Sequence, residues 1–479
     1  MILDNRMKKK LIFLFLCSEW MLQSQTTLLI KEWETDSSLK GASIGFSVID
    51  LKNTQVIEEY HSHQFLIPAS TLKVVTTAAA LSSLGKNFQY ETSILSDGHL
   101  NPTSGLLTAN LIIKGSGDPT LQSEHFYANQ NLCDNWAKAL KEKGVKSIEG
   151  KIIADTKVFD KIIPDDWIWA DISNYFGSIP NGLSYKDNKF KIVYNTGAPG
   201  TKAQIVKTSP NYLKQPYHLT SEVTIKGTED LAYVYGNPFD FTKTIRGTLP
   251  ANKTNYDIEA ALPNPALLCA EDFYIALNKI GISCHSNSIE TNDSIDDQLS
   301  SAKVLYSQKS PTLEKIIYYT NVTSNNLYCE SLLKTIGGGS TQQGIEQVKK
   351  FIESKGLNKE EVFMVDGSGL SRANNITTAF QAQLLSKIYQ DTSLYSSIYK
   401  SLPIAGKNGS LSSIGKGTFI ENNMRAKTGY INRCRAYCGY VKTKSNKHLA
   451  FSIIFNNYNC TAKEAKLKIE KFLVHLGEL

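Results

Sequence analysis

Five strand-like segments divided between the two ends of the chain constrain its fold more than any other feature. Near the start, GASIGFSVIDLKNTQVIEEY alternates as two strands about a turn at Asp50-Leu51-Lys52-Asn53. Near the end, MRAKTGYINR, RAYCGYVKT and HLAFSIIFNN read as three more, with turns at Asn432 and between Thr443 and Lys447. Combined, they predict one antiparallel five-stranded sheet. Helices over 27–40 and in the final stretch TAKEAKLKIEKFLVHLG cover it, which leaves the middle of the chain as an insertion.

ASTLKVVTTAAALSSLG follows the second strand and predicts a buried helix. Leu72, Val75, Ala78, Ala79 and Leu81 recur at helical spacing, and Gly85 suits a C-cap. Pro68 ends the extended chain, so Ser70 falls at the helix start, where unpaired N–H groups favour developing negative charge. Lys73 shares its face, and loss of hydration there disfavours the ammonium form. Ser70 then reads as a nucleophile and Lys73 as its base. In isolation a capping serine and a snorkelling lysine are the better explanation of the pair.

Two further segments decide between these readings. TLEKIIYYTNVTSNNLYCESLLKTIGGG is helical except between Asn321 and Asn326, so Ser324-Asn325-Asn326 lies between helices. A hydroxyl at Ser324 can relay a proton, and the Asn326 amide can hold a substrate amide by donor and acceptor. Lys427-Thr428-Gly429 lies inside a strand, where glycine often marks close approach by another backbone or a ligand. Lys427 and Thr428 can bind a carboxylate, and the N–H of Tyr430 can join that of Ser70 in an oxyanion hole.

Ser-x-x-Lys at a helix start, Ser-x-Asn between helices and Lys-Thr-Gly on a strand form the ordered triplet of penicillin-recognising serine enzymes. Over nearly all of its mature length the chain resembles the low-molecular-mass class C penicillin-binding proteins, the D-alanyl-D-alanine carboxypeptidase/endopeptidase family. GSGDPTL at 115–121, DGSGLSR at 366–372 and LPIAGKNGSL at 402–411 extend the likeness. The 254 residues separating Ser70 from Ser324 look like that family's large insertion, whereas class A β-lactamases have a much shorter gap.

The resemblance implies an α/β (α+β) penicillin-binding-protein/β-lactamase-like transpeptidase domain. It implies catalysis by Ser70, Lys73 and Ser324, substrate binding by Asn326, Lys427, Thr428 and Gly429, and an oxyanion hole from the N–H groups of Ser70 and Tyr430. Peptidoglycan stem peptides are the implied substrates, D-Ala-D-Ala ends and D-Ala-meso-diaminopimelate cross-links, and β-lactams the covalent inhibitors. No metal or organic cofactor is implied. Tyr430-Ile431 departs from the family's usual small hydroxyl residue, and Asn325 replaces a more frequent acidic residue, its side chain expected to point away. Asp366 and Ser368 read as scaffold or cleft wall, and Asp118 as a turn residue. Two rival readings keep the fold: a β-lactamase or esterase, and a non-catalytic wall-binding protein.

The expected domains are a signal peptide at 1–25, a discontinuous catalytic domain at 26–91 and 301–479, and inserted material at 92–300, with the Ser/Asp-rich stretch 286–301 as border. The insertion is rich in strand-like alternation, with helices at CDNWAKALKEKG and AEDFYIALNKIG. Met7 and three lysines precede LIFLFLC, a basic and apolar pattern too short to span a bilayer and typical of export to the periplasm. Cys17 raises a lipid-anchored alternative, although the residues before it are large. No transmembrane segment is expected in the mature chain.

A net charge of +7 is too mild to imply nucleic acid and leaves peripheral membrane or wall association open. Beyond Cys17 the cysteines are odd in number, so at least one thiol is unpaired, and Cys269 with Cys284 is the nearest pair for a bridge. Cys434 and Cys438 share one side of a strand and are not expected to bridge. No Cys/His spacing resembles a zinc site, and His61-Ser62-His63 reads as a surface turn.

Overall fold

The computed structural model describes residues 25–127, 130–285, 287–293 and 302–479. The signal segment up to residue 24, Cys17 and most of the 286–301 border lie outside the described residues. The five end-segments form one antiparallel sheet in the order Gln55–Tyr60, Ser43–Asp50, His448–Asn456, Cys434–Lys442, Met424–Ile431. Ser43 to Asp50 pairs without a break against Asn456 to Leu449, tying the start of the chain to its end.

Ser43–Asp50, Cys434–Lys442 and His448–Asn456 are nearly continuously buried because both their faces are covered, whereas the edge strand Gln55–Tyr60 is largely exposed. Tyr437, Val441, Leu449, Phe451 and Phe455 face one core, with Trp33 from the 25–35 helix and Phe472 from the Ala462–Glu478 helix. Trp33 meets Phe455 edge-on at 5.0 Å between ring centroids. Ala436, Cys438, Tyr440, Ala450 and Ile454 face the other core, shared with the Lys73–Leu84, Leu313–Val322 and Thr378–Gln390 helices. The first helix stops short of its expected end at 40, because Asp36 accepts from Ser38 N and starts a separate 3-10 turn at Ser37–Leu39.

In the Lys73–Leu84 helix every residue from Lys73 to Leu81 is buried, as befits a central helix packed on all sides, with Lys73, Thr76 and Thr77 as its buried polar groups. Gly85 caps it at φ +78°. Ser70 precedes it in a 3-10 turn, Ala69–Leu72, rather than in its first α-turn.

The middle of the chain builds a second core around the Leu132–Glu142 and Pro265–Lys279 helices. Its largest sheet has the order Ile289–Asn292, Ile152–Asp155, Leu111–Lys114, Glu91–Ser96, Lys303–Lys309. Glu91–Ser96 pairs antiparallel with Lys303–Lys309, so the chain enters and leaves the insertion side by side. We therefore propose 91–309 as the inserted unit, instead of an end near 300. Two three-stranded sheets, one around Lys189–Asn195 and one around Thr242–Leu249, extend it.

The expected Cys269–Cys284 bridge is not formed: both are free thiols, like Cys133, Cys329, Cys434, Cys438 and Cys460. Nearness in sequence misleads here. Cys269 is buried in its helix against Cys133, whose Sγ lies 3.8 Å from the Cys269 carbonyl oxygen, while Cys284 is half-buried on the following short strand.

Candidate active site

Three segments converge on Ser70. Ala69, just before it, holds φ +46°, a left-handed conformation that costs a non-glycine residue on the order of 1–3 kcal/mol and that such sites store. Two glycines allow the approach. A Cβ on Gly429 would lie 2.5 Å from the Pro68 carbonyl oxygen, and one on Gly369 (φ +78°) 1.9 Å from that of Ala69. The strand glycine therefore marks close backbone approach, as its position suggests.

Lys73 is fully buried, and its Nζ donates to Ser70 Oγ at 2.9 Å, Asn326 Oδ1 at 2.6 Å and the Ser368 carbonyl at 2.7 Å. These use all three ammonium donors. Burial holds the Lys73 pKa below that of a free lysine, against the opposing pull of Cys329, Glu330 and Asp366. Lys427 Nζ donates to Ser324 Oγ at 2.8 Å and to the Thr428 carbonyl at 2.9 Å. Burial, then the charge of Lys73, press its pKa well below the usual value. Ser324, at φ +60°, occupies the break between the Leu313–Val322 and Asn326–Ile336 helices.

A family model described as the D-Ala-D-Ala carboxypeptidase 3 (S13) family matches residues 28–477. The chain belongs to that family. It is 26% identical over 449 residues to D-alanyl-D-alanine carboxypeptidase DacB of Haemophilus influenzae, covering 90% of this chain and 88% of that one. It is also 26% identical to the D-alanyl-D-alanine carboxypeptidase of Actinomadura sp. (strain R39), covering 88% and 79%. The crystal structure of penicillin binding protein 4 (dacB) from Haemophilus influenzae superposes with a TM-score of 0.78 at 25% identity, over 92% of this chain and 97% of that one. The chain is thus an S13 serine peptidase of the D-Ala-D-Ala carboxypeptidase class, with the penicillin-binding-protein fold.

Within this S13 peptidase the remaining residues take more specific positions. Asn326, expected to grip a substrate amide with both its groups, has both engaged: Oδ1 accepts from Lys73 and Nδ2 donates to the Phe176 carbonyl at 2.7 Å. Asn325 caps its helix, accepting from Tyr328 N at 3.0 Å. Thr428 Oγ1 donates to Ser410 Oγ at 2.7 Å. Tyr430 is half-exposed at the cleft, with the Arg435 guanidinium 4.4 Å from its ring centroid. Asp366 is scaffold: wholly buried, it accepts from Gly369 N, Ser371 N, Asn374 Nδ2 and Trp167 Nε1. Asp118 makes the expected turn, accepting from Thr120 N at 2.8 Å.

The cleft beside Ser70 has a volume of about 1230 Å³. Ser70, Ser324 and Tyr430 line it together with Asp171, Tyr175 and Tyr233 of the insertion. Sequence reasoning missed these insertion residues, together with Phe176, Ser410 and Glu330. Ser410 lies within the quoted LPIAGKNGSL stretch, and Glu330 sits four residues after Asn326 on the same helical face, a spacing that does not by itself reveal its backbone partners.

Proposed function

We propose that Ser70 is the nucleophile and Lys73 its general base, in an exported peptidase that cleaves D-Ala-D-Ala stems and the D-Ala-meso-diaminopimelate cross-links of peptidoglycan. The 2.9 Å contact between Lys73 Nζ and Ser70 Oγ carries this reading, because burial favours the neutral amine that a base requires. Ser70 Oγ attacks the penultimate D-alanyl carbonyl and gives its proton to Lys73. The backbone N–H groups of Ser70 and Tyr430 stabilise the oxyanion. Ser324, bonded to Lys427, passes a proton to the leaving amine as the C–N bond breaks. Lys427 and Thr428 hold the terminal carboxylate, and Gly429 lets that strand lie against the Ser70 turn. Asn326 fixes Lys73 through Oδ1. Water then hydrolyses the ester.

A β-lactam acylates Ser70 by the same attack. The Haemophilus influenzae protein, solved in complex with a novel β-lactam, supports this. Export to the periplasm is supported by the basic and apolar run ending at Cys17, and among the described residues no helix is long and apolar enough to cross a membrane.

Incubation with benzylpenicillin followed by intact-mass and peptide-map analysis tests the assignment. A stable adduct on Ser70, absent in Ser70→Ala, is expected. An adduct that persists in that variant would remove Ser70 from its role, and drug consumed without a trapped adduct would favour β-lactamase chemistry.

A further inference from the structure

Beneath Lys73 lies a buried carboxylate that no step above uses. Glu330 is 3% exposed. Its Oε1 accepts from Gly367 N at 3.0 Å and Ser368 N at 2.6 Å, and its Oε2 from Gly367 N at 3.1 Å. The carbonyls of the same two residues point the other way. That of Gly367 accepts from Thr76 Oγ1 at 2.7 Å and Cys329 Sγ at 3.1 Å, and that of Ser368 from Lys73 Nζ at 2.7 Å. The Gly367–Ser368 backbone is therefore clamped between Glu330 and the Lys73–Leu84 helix.

The clamp has a chemical consequence. Once Lys73 loses a proton it keeps two N–H bonds and gains one lone pair. The two carbonyl acceptors, Asn326 Oδ1 and Ser368 O, retain the two donors, so the lone pair is left facing Ser70 Oγ. Asn326 and Glu330 stand one helical turn apart, so one helix face sets both acceptors, one directly and one through the loop.

We propose that Glu330 is a positioning residue for acylation: by clamping Gly367–Ser368 it holds the Ser368 carbonyl on Lys73, and its charge biases the proton on Lys73. This rests on Lys73 being the general base. The titratable groups around Glu330 are Lys73 on the neighbouring helix, Asp366 in the loop and Cys329 beside it, with Lys427 acting on Lys73 from the strand. Burial, and then Asp366, push the Glu330 carboxyl up to about 7. An ionised Glu330 favours the Lys73 ammonium and opposes its use as a base.

The test follows benzylpenicillin acylation of the full chain by stopped flow from pH 5 to 9, with adduct mapping and melting temperature as companions. Glu330→Gln keeps an oxygen for both N–H groups and removes the charge, so the acid limb of the rate profile should move to lower pH by about one unit. Glu330→Asp keeps the charge but withdraws the carboxylate by a methylene, so the limb should stay while the plateau falls roughly tenfold or more with the pre-covalent affinity unchanged. If the glutamine limb superimposes on that of the parent, or if the aspartate plateau is unchanged, the inference is overturned. An unmodified Ser70 in the parent protein would instead overturn the catalytic assignment itself, which keeps the two failures distinct.

Discussion

At the residue scale the site rests on two lysines with opposite needs. In the proposed mechanism Lys73 must be neutral to accept the Ser70 proton, and Lys427 must be charged to bind a carboxylate. Both are buried and both pKa values are lowered. Lys427 is the more strongly depressed of the two and feels the charge of Lys73, so turnover of a D-Ala-D-Ala stem should follow a bell-shaped kcat/KM profile whose limbs belong to the coupled lysine pair. Lys427→Ala should reduce the bell to a single limb and raise KM; an unchanged profile would take Lys427 out of the site. Asp118 gives a second pH test, on stability. Burial raises its carboxyl from 3.8 to about 6, so the folded state binds a proton that the unfolded state has released. The associated stability is present below about pH 4 and is lost as pH rises to 6, a swing on the order of 3 kcal/mol. Asp118→Asn should flatten the melting temperature across that window relative to the parent, and parallel curves would contradict the assignment.

At the level of elements, the close approach of strand, loop and turn sets the geometry around Ser70. Gly429→Ala puts a methyl 2.5 Å from the Pro68 carbonyl and pushes the Met424–Ile431 strand off the turn. Overpacking of this kind costs about 1–3 kcal/mol, and misplacing the strand by about 1 Å should slow acylation roughly 100-fold. Calorimetry and stopped-flow acylation measure the two effects separately. The sheet and the Ser70 helix were legible in the sequence because period-2 and helical spacing report directly on which face is buried. The triplet was legible because its residue types carry the chemistry themselves. Glu330 and Phe176 were not, since one acts through the backbone of residues 367 and 368 and the other offers a carbonyl 150 residues from Asn326. Strand content in the insertion could be read, but pairing such as Glu91–Ser96 with Lys303–Lys309 is a long-range property that local pattern does not encode. The Cys269 assignment failed for the same reason, its packing partner being Cys133.

Across the whole molecule, the insertion is a structural part of the site. Trp167 Nε1 reaches Asp366 Oδ2 at 2.9 Å, the Phe176 carbonyl takes Asn326 Nδ2, and Lys334 Nζ, nearly unexposed, donates to the Asp160 carbonyl at 2.9 Å. These contacts tie the insertion, including the cleft residue Phe176, to the segments around Ser70. That cleft, at about 1230 Å³, exceeds the ~300–1,000 Å³ typical of small-molecule pockets, and under the proposed function a β-lactam would fill only the part near Ser70 and a longer peptide the rest. Tyr233, on a short strand of the insertion, lines the cleft and is 40% exposed. Tyr233→Ala removes apolar surface there without altering a hydrogen bond to Ser70, Lys73 or Lys427. It should raise KM for a cross-linked stem peptide severalfold, since losing one aromatic contact of 0.5–1.5 kcal/mol is roughly a two- to tenfold change, while benzylpenicillin acylation stays at the parental rate. Equal losses on both substrates would mean that the wall supports the catalytic residues themselves, whereas loss on the peptide alone identifies the insertion as the surface that selects the wall substrate.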